Sequence, residues 1–162
     1  MLDAAVKVTD KEGCCIVKVF GRATHNITPP IKKLIEEKTF ANLEYFAFDL
    51  KDVSFMDSTF MGTLTMLALE TRKAQITSKI FNINEVNMKA LKSLGVSKLF
   101  IFEDNLDYGE DSEELNQENI TKKESAETVL EAHKNLMGID ENNVPKFEKV
   151  VEFAEKDLNN MK

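Results

Sequence analysis

Residues 55–64 read FMDSTFMGTL, and this stretch decides the fold. It places an aspartate, a serine and a threonine inside an otherwise apolar segment. The preceding residues 44–50, EYFAFDL, are apolar on both faces except for Asp49, which is typical of a central strand in a sheet covered by helices. The composition of residues 58–74, ending in TRKA with cations in the last turn, predicts a helix. The quoted stretch therefore joins a central strand to a helix.

Asp57 and Ser58 are expected at the start of this helix, after a turn at Lys51 and Asp52. A Ser or Asp there is ordinarily an N-cap, worth about 1 kcal/mol. A phosphoacceptor role for Asp57 would need a cluster of acids holding a metal ion, and none is evident in the sequence. A serine hydrolase is disfavoured because the chain lacks G-x-S-x-G and offers no plausible histidine partner for Ser58.

The rest of the chain up to residue 104 alternates strands and helices. Strands are expected at residues 4–9, 14–20, 44–50, 79–83 and 98–102, and helices begin at Thr28, Ser58 and Asn84. The resulting order, β-β-α-β-α-β-α-β, predicts an α/β fold with a mixed sheet of about four to five strands and helices packed on it.

Composition narrows the classes of function. The 162 residues carry a net charge of −7, which argues against nucleic acid as a partner. No window approaches the roughly 18 apolar residues that a membrane span needs. The first residues lack the pattern of a secretory signal, so we expect a cytoplasmic protein with no membrane insertion.

Neither cysteine nor histidine points to a metal or cofactor site. Cys14 and Cys15 are adjacent, so one is expected in the core and the other half-exposed, both reduced. His25 and His133 are far apart and lack metal-ligand spacing. We expect no metal and no cofactor.

The character of the chain changes after residue 104. Residues 105–120 are expected to form a solvated acidic linker, and residues 121–162 a helical C-terminal extension. Its first helix is expected over Ser125–Met137 with Gly138 as a stop, and its second after Pro145. This extension is too small to fold alone. We expect it to fold back on residues 1–104; pairing with a second copy in a homodimer is the alternative.

The segment FDLKDVSFMDSTFMGTL resembles the signature of STAS domains, in particular the anti-sigma factor antagonists. The family's pattern is an apolar strand ending in Asp, a turn, Val-x-Phe, then Asp-Ser-Ser/Thr-Gly-hydrophobic-Gly at a helix start. The matching positions here are Asp49, Val53, Phe55, Asp57, Ser58, Thr59, Met61 and Gly62. The order of elements and the segment LKSLGVSKLFIFED resemble the family as well, which implies a STAS domain over residues 1–104. One departure is Phe60, where the family usually has glycine.

The resemblance implies a binding protein rather than an enzyme. In the family, a partner kinase that is also the anti-sigma factor phosphorylates the serine matching Ser58. The neighbouring hydroxyl, Thr59, is the alternative acceptor, and a phosphatase is a further candidate partner. The expected partner-binding residues are Asp57, Thr59, Phe60, Met61, Gly62, Thr63 and Met66.

Two functions follow from this resemblance. The first is partner switching, in which the unphosphorylated chain captures an anti-sigma factor and frees a sigma factor, so regulating transcription. The alternative is a STAS subunit that docks on a membrane transport system. A small enzyme is the least favoured class.

Overall fold

The computed structural model describes residues 4–104, 108–109, 111–115, 117 and 119–161. The strands are β1 Ala5–Lys11, β2 Cys14–Ala23, β3 Tyr45–Met56, β4 Thr77–Phe81, β5 Ile101–Glu103 and β6 Glu113–Glu114. The helices are α1 Thr28–Glu37, α2 Ser58–Lys73, α3 Glu85–Ser93, α4 Lys122–Ile139 and α5 Val144–Asn160. Short 3-10 turns at Val96–Leu99 and Glu141–Asn143 precede β5 and α5.

The strands form one mixed sheet in the order β5-β4-β3-β2-β1-β6. Strand β1 runs antiparallel to both of its neighbours, and β2 to β5 are parallel. The predicted element order and fold class are confirmed, and the sheet has six strands within the described residues rather than four to five.

The extra strand comes from the acidic segment. Glu113 and Glu114 pair with Val8 and Lys7 at the edge of the sheet. Leu115 packs against the core, and the hydroxyl of Tyr108 donates to Asp49 at 2.7 Å. The described part of residues 105–120 is therefore attached to the sheet and is not a freely solvated linker as expected.

Strand β3 is longer than expected, because it continues through the predicted turn at residues 51–52 to Met56. Its pairing with β4 ends at Asp49, but β2 supplies partners as far as Met56, with two register shifts. A strand that has one neighbour can continue where the sequence alone indicates a turn. The extension carries the chain to the start of α2.

Two smaller predictions were wrong. Cys14 and Cys15 are both buried, at 8% and 0% exposed, because strand β2 is covered on both faces near its start. Helix α4 passes through Gly138 and ends at Ile139. A glycine can lie within a helix at a modest loss of stability, so it is not an obligatory stop.

Helix α2 lies at the centre of the molecule. Its side chains Phe60, Leu64 and Leu67 are fully buried in the core formed with the sheet. On its other side it is covered by α4, and α5 packs on α4. A helix that is apolar nearly all round is expected to be buried on both sides, as α2 is.

The C-terminal extension thus folds back on the sheet-and-helix domain within one chain, as the first of the two expected dockings requires. We call α4 and α5 together the C-terminal hairpin. Among the described residues, no helix combines the length and the apolar character that crossing a membrane requires.

Candidate functional site

The site lies at the start of helix α2, where Asp57 fixes the first turn. Asp57 is the N-cap, and its Oδ1 accepts a hydrogen bond from the backbone N–H of Phe60 at 2.8 Å. Its Oδ2 accepts from the backbone N–H of His25 at 2.8 Å, which joins the helix start to the end of β2. Because Asp57 satisfies the capping requirement, the hydroxyl of Ser58 is left for another contact.

That contact is with His133 of α4. The Oγ of Ser58 lies 2.7 Å from Nε2 of His133, across a separation of 75 residues in the sequence. The other ring nitrogen, Nδ1, lies 2.6 Å from the carbonyl oxygen of Val129. A carbonyl only accepts, so Nδ1 carries the proton and Nε2 of the neutral ring is an acceptor. The hydroxyl of Ser58 therefore donates to His133.

The surroundings of His133 favour this neutral form. Its side chain is 2% exposed and its ring lies 5.1 Å from that of Phe147. Burial lowers the pKa of His133, and this outweighs the hydrogen bond to Val129 and the charge of Asp57, which both act to raise it. At neutral pH the ring is uncharged and accepts from Ser58.

Helices α2 and α4 approach each other closely next to this pair. A Cβ atom placed on Gly62 would lie 2.2 Å from the carbonyl oxygen of Ala132 and 2.6 Å from its Cα. No side chain can occupy position 62 unless α4 moves. The residues of α4 that are buried share one face of the helix: Thr128, Ala132, His133 and Leu136.

Polar contacts hold the C-terminal hairpin at the middle of α4 and at the turn between its two helices. Lys32 of α1 pairs with Glu131 of α4 at 3.4 Å. Burial alone would lower the pKa of Lys32, but its hydrogen bonds and ion pairs with Glu36 and Glu131 raise it, so Lys32 is charged. The buried amide nitrogen of Asn143 donates to the carbonyl oxygens of Leu94, at 2.9 Å, and of Leu136. The hairpin is therefore fixed to α1, α2 and the end of α3.

The structure brings the predicted site residues together but covers most of them. Thr59, Phe60, Met61 and Thr63 are buried, as is Gly62 beneath α4. Asp57, Ser58 and Met66 are half-buried. The ring of Phe60 packs edge-on against Phe48 in the core, at 6.0 Å between centroids, and not at the surface as a groove-filling side chain would. A role in partner binding for these residues stays a prediction.

Sequence reasoning missed His133 as a partner of Ser58. Two signals pointed to it: His133 stands on the apolar face of its own helix, and α2 has more apolar surface than the sheet can cover. The pair has no carboxylate on Nδ1, because that nitrogen donates to a backbone carbonyl. It therefore differs from a Ser-His-Asp triad, in which the aspartate orients the histidine.

Three solved structures resemble this chain, and the first of them, with a TM-score above 0.5, supports the fold. The Bacillus cell fate determinant SpoIIAA in its phosphorylated form matches with a TM-score of 0.54 and 17% identity, over 64% of this chain and 93% of that one. The anti-sigma factor antagonist SpoIIAA in its unphosphorylated form matches with a TM-score of 0.44 and 16% identity, over 54% and 82% of the chains. The structure of SLC26A9 matches with a TM-score of 0.41 and 17% identity, over 56% of this chain and 17% of that one.

Among curated proteins, no sequence matches this chain. The family model of the STAS domain matches residues 5–109, which include β1 to β5 and helices α1 to α3. This is well over half of the chain and contains the start of α2 with Asp57 and Ser58. The chain therefore belongs to the STAS domain family.

Proposed function

We propose that this chain is a binding protein of the anti-sigma factor antagonist type, controlled by phosphorylation of Ser58. The observation that carries the proposal is that Asp57 and Ser58 have different contacts at the start of α2. Asp57 caps the helix, so the half-buried hydroxyl of Ser58 is not needed for capping and can be modified without unmaking the helix start. SpoIIAA, which shares the fold, has a phosphorylated form.

A phosphate at this position would act as a switch. It adds about −1.5 to −2 charges at neutral pH. The N-terminus of a helix tolerates an anion, so the domain should keep its fold. Asp57 lies next to the added charge, and an acidic partner surface would be repelled by it. Phosphorylation should therefore change binding rather than folding.

The partner that this function requires is an anti-sigma factor that is also a serine kinase. The unphosphorylated chain would bind it and so release a sigma factor, and a phosphatase would restore the unphosphorylated chain. The chain itself acts as substrate and ligand, with no catalytic residue of its own. A cytoplasmic location follows from these partners as part of the proposal.

The test is phosphosite mapping of the full chain purified from its native host. Wild type should carry one phosphoryl group at residue 58, and Ser58→Ala should carry none. Ser54→Ala is the matched control, because it removes an exposed hydroxyl on β3 outside the predicted site, and it should be phosphorylated as wild type is. Full incorporation into Ser58→Ala would refute the assignment. If a membrane transport component, and no kinase, co-purifies with the full chain from its host, the proposed kinase partner would be contradicted. The alternative of docking on a transport system would then be favoured.

A further inference from the structure

We infer that the C-terminal hairpin is a built-in competitor for the face of α2 on which the proposed function depends. Helix α4 lies against Gly62, and His133 takes the hydroxyl of Ser58 as its hydrogen-bond donor. In this closed form the residue to be phosphorylated is engaged by the chain itself. A kinase or other partner that binds α2 has to displace the hairpin first. This inference rests on the proposed function and adds a regulation to it.

The first step of the argument is geometric. In phosphorylation the Oγ of Ser58 forms a bond to the γ-phosphorus of a kinase's ATP, ADP leaves, and the hydroxyl proton passes to the kinase's catalytic base. In the closed form this proton points at Nε2 of His133. Phosphoryl transfer depends mainly on positioning, and the ring of His133 occupies the side of the oxygen from which the kinase's base would take the proton.

The second step concerns the surface next to Ser58. The backbone of Ala132 lies so close to Gly62 that no partner atom can enter between α2 and α4. Ala132 and Leu136 are 2% and 0% exposed, so this interface is closed. A partner that uses the α2 face around Gly62 and Thr63 therefore competes with α4 for the same surface.

The third step concerns the ability of the hairpin to detach from α2 while the sheet domain stays folded. It belongs to residues beyond the segment that the STAS family model matches, and it joins β5 through residues 104–121. The core between the sheet and α2 is built mainly from the domain itself, including Phe48, Phe60 and Leu64, and the hairpin adds the buried side chain of Leu136. Local opening of such an element, with the rest of the domain folded, is the usual form of sub-global unfolding.

The test measures access to position 58 without any kinase. Ser58→Cys places a thiol there in the full chain, and alkylation by iodoacetamide is followed by peptide mass mapping. Cys14 and Cys15, which are 8% and 0% exposed, report global unfolding in the same sample. In the closed chain the introduced thiol should react slowly.

A matched pair of substitutions then distinguishes opening of the hairpin from the effect of an added positive charge. Ala132→Lys puts a cation into the closed interface, whereas Gly138→Lys puts the same side chain where no atom lies within 4 Å of the Cβ position. In the Ser58→Cys background, Ala132→Lys should raise the alkylation rate at position 58 at least about tenfold, since the rate follows the population of the open form. Gly138→Lys should leave it unchanged, and Cys14 and Cys15 should stay slow in both chains.

Equal rates in the two variants would overturn the inference. If Ala132→Lys unfolds the whole chain, Cys14 and Cys15 will react as well, and Leu136→Ala then decides. It weakens the packing of α4 without adding a charge and leaves the His133 ring in the chain, so a faster reaction confined to position 58 supports the hairpin as a cover, and an unchanged rate refutes it.

Phosphosite mapping of Ala132→Lys and Gly138→Lys, both with Ser58 in place, separates this inference from the proposed function. A higher phosphate content at Ser58 in Ala132→Lys supports both. Absence of phosphate from every chain refutes the proposed function, while the alkylation rates still decide whether the hairpin covers Ser58. If the alkylation rates show that the chain is closed, and the two variants nevertheless carry equal phosphate at Ser58, the proposed function is supported. The competition between the hairpin and the kinase is then refuted.

Discussion

His133 is a buried neutral histidine whose present contact with Ser58 depends on its staying neutral. Its Nε2 can accept from Ser58 only when it carries no proton, and its Nδ1 already donates to Val129. Protonation would turn Nε2 into a donor, so the hydrogen bond with Ser58 would have to reverse, and it would put a charge in a buried interface. The same residue that engages Ser58 thus makes the contact sensitive to acid.

We expect the free energy of unfolding to fall as the pH falls below about 6.5, the ordinary pKa of histidine in an unfolded chain. Burial lowers the pKa of His133 in the folded chain, so below this pH the unfolded chain binds a proton that the folded chain resists. Stability therefore rises with pH through this window and gains nothing further from His133 above it.

The measurement is urea unfolding of wild type and His133→Gln between about pH 7.5 and pH 5.5. The difference between the two chains isolates His133 from the carboxylates that also titrate. His25→Gln is the control, because the side chain of His25 is 61% exposed. The same pH dependence in wild type and His133→Gln would show that the buried ring does not contribute.

Truncation of Phe60 should lower the free energy of unfolding, because its ring lies in the core. It is fully buried against Phe48, so Phe60→Ala removes a large side chain from the core and should cost about 3–5 kcal/mol of unfolding free energy. Phe55 is 42% exposed, and Phe55→Ala should cost under about 1 kcal/mol. Denaturant unfolding of both variants checks this. A Phe60→Ala chain as stable as wild type would place the ring outside the core.

At the scale of elements, the contact between α2 and α4 depends on the absence of one side chain. Gly62→Ala would put a Cβ atom 2.2 Å from the backbone of α4, so the helices must separate. Gly138→Ala adds the same atom within α4, at a position with nothing within 4 Å. The same chemical change should therefore have opposite effects at the two sites.

We expect Gly62→Ala to lower the free energy of unfolding by about 1–3 kcal/mol through overpacking. Gly138→Ala should raise it by up to about 1 kcal/mol, because alanine favours a helix over glycine. Thermal and urea unfolding measure both. Equal effects would mean that α4 does not lie against Gly62 in solution.

The elements themselves were largely predictable from local patterns. The apolar strand at residues 44–50, the cap at Asn84 and the helical composition after Ser58 each depend on neighbours in the sequence. The continuation of β3 to Met56 was not predictable in this way, because the polar residues 51–52 look like a turn and become strand only where β2 offers partners. Pairing between distant segments decides such boundaries.

The candidate site was predictable only in part, for the same reason. The motif located Asp57 and Ser58 at a helix start, and the structure has Asp57 as the cap. The contact between Ser58 and His133 spans 75 residues and depends on how α4 docks. No periodicity within either helix specifies that docking, although the excess apolar surface of α2 required a cover.

On the scale of the whole molecule, the C-terminal hairpin should stabilise the sheet domain on which it packs. A chain ending at Ile120 keeps β6 and Tyr108 but removes α4 and α5, and so uncovers one side of α2. We expect it to have a lower melting temperature and to bind a dye for apolar surface, whereas the full chain should be a monomer whose melting temperature is independent of concentration.

Light scattering and calorimetry over a range of protein concentrations check this expectation. A full-length dimer whose melting temperature rises with concentration, together with a stable monomer on truncation, would instead favour pairing of hairpins between two chains. An unchanged melting temperature on truncation would contradict the packing of α4 on α2.

The covalent connection through residues 104–121 determines how the response to a partner depends on the amount of this protein in the cell. Because α4 belongs to the same chain as the sheet and follows β6 at the edge of that sheet, it would compete with a partner for α2 however little of the protein a cell contains. A partner's apparent dissociation constant is its intrinsic one divided by the fraction of chains that are open. That fraction belongs to the chain and does not change with expression level. Single substitutions in α4 would thus shift the partner concentration at which the chain responds and leave the α2 surface itself unchanged.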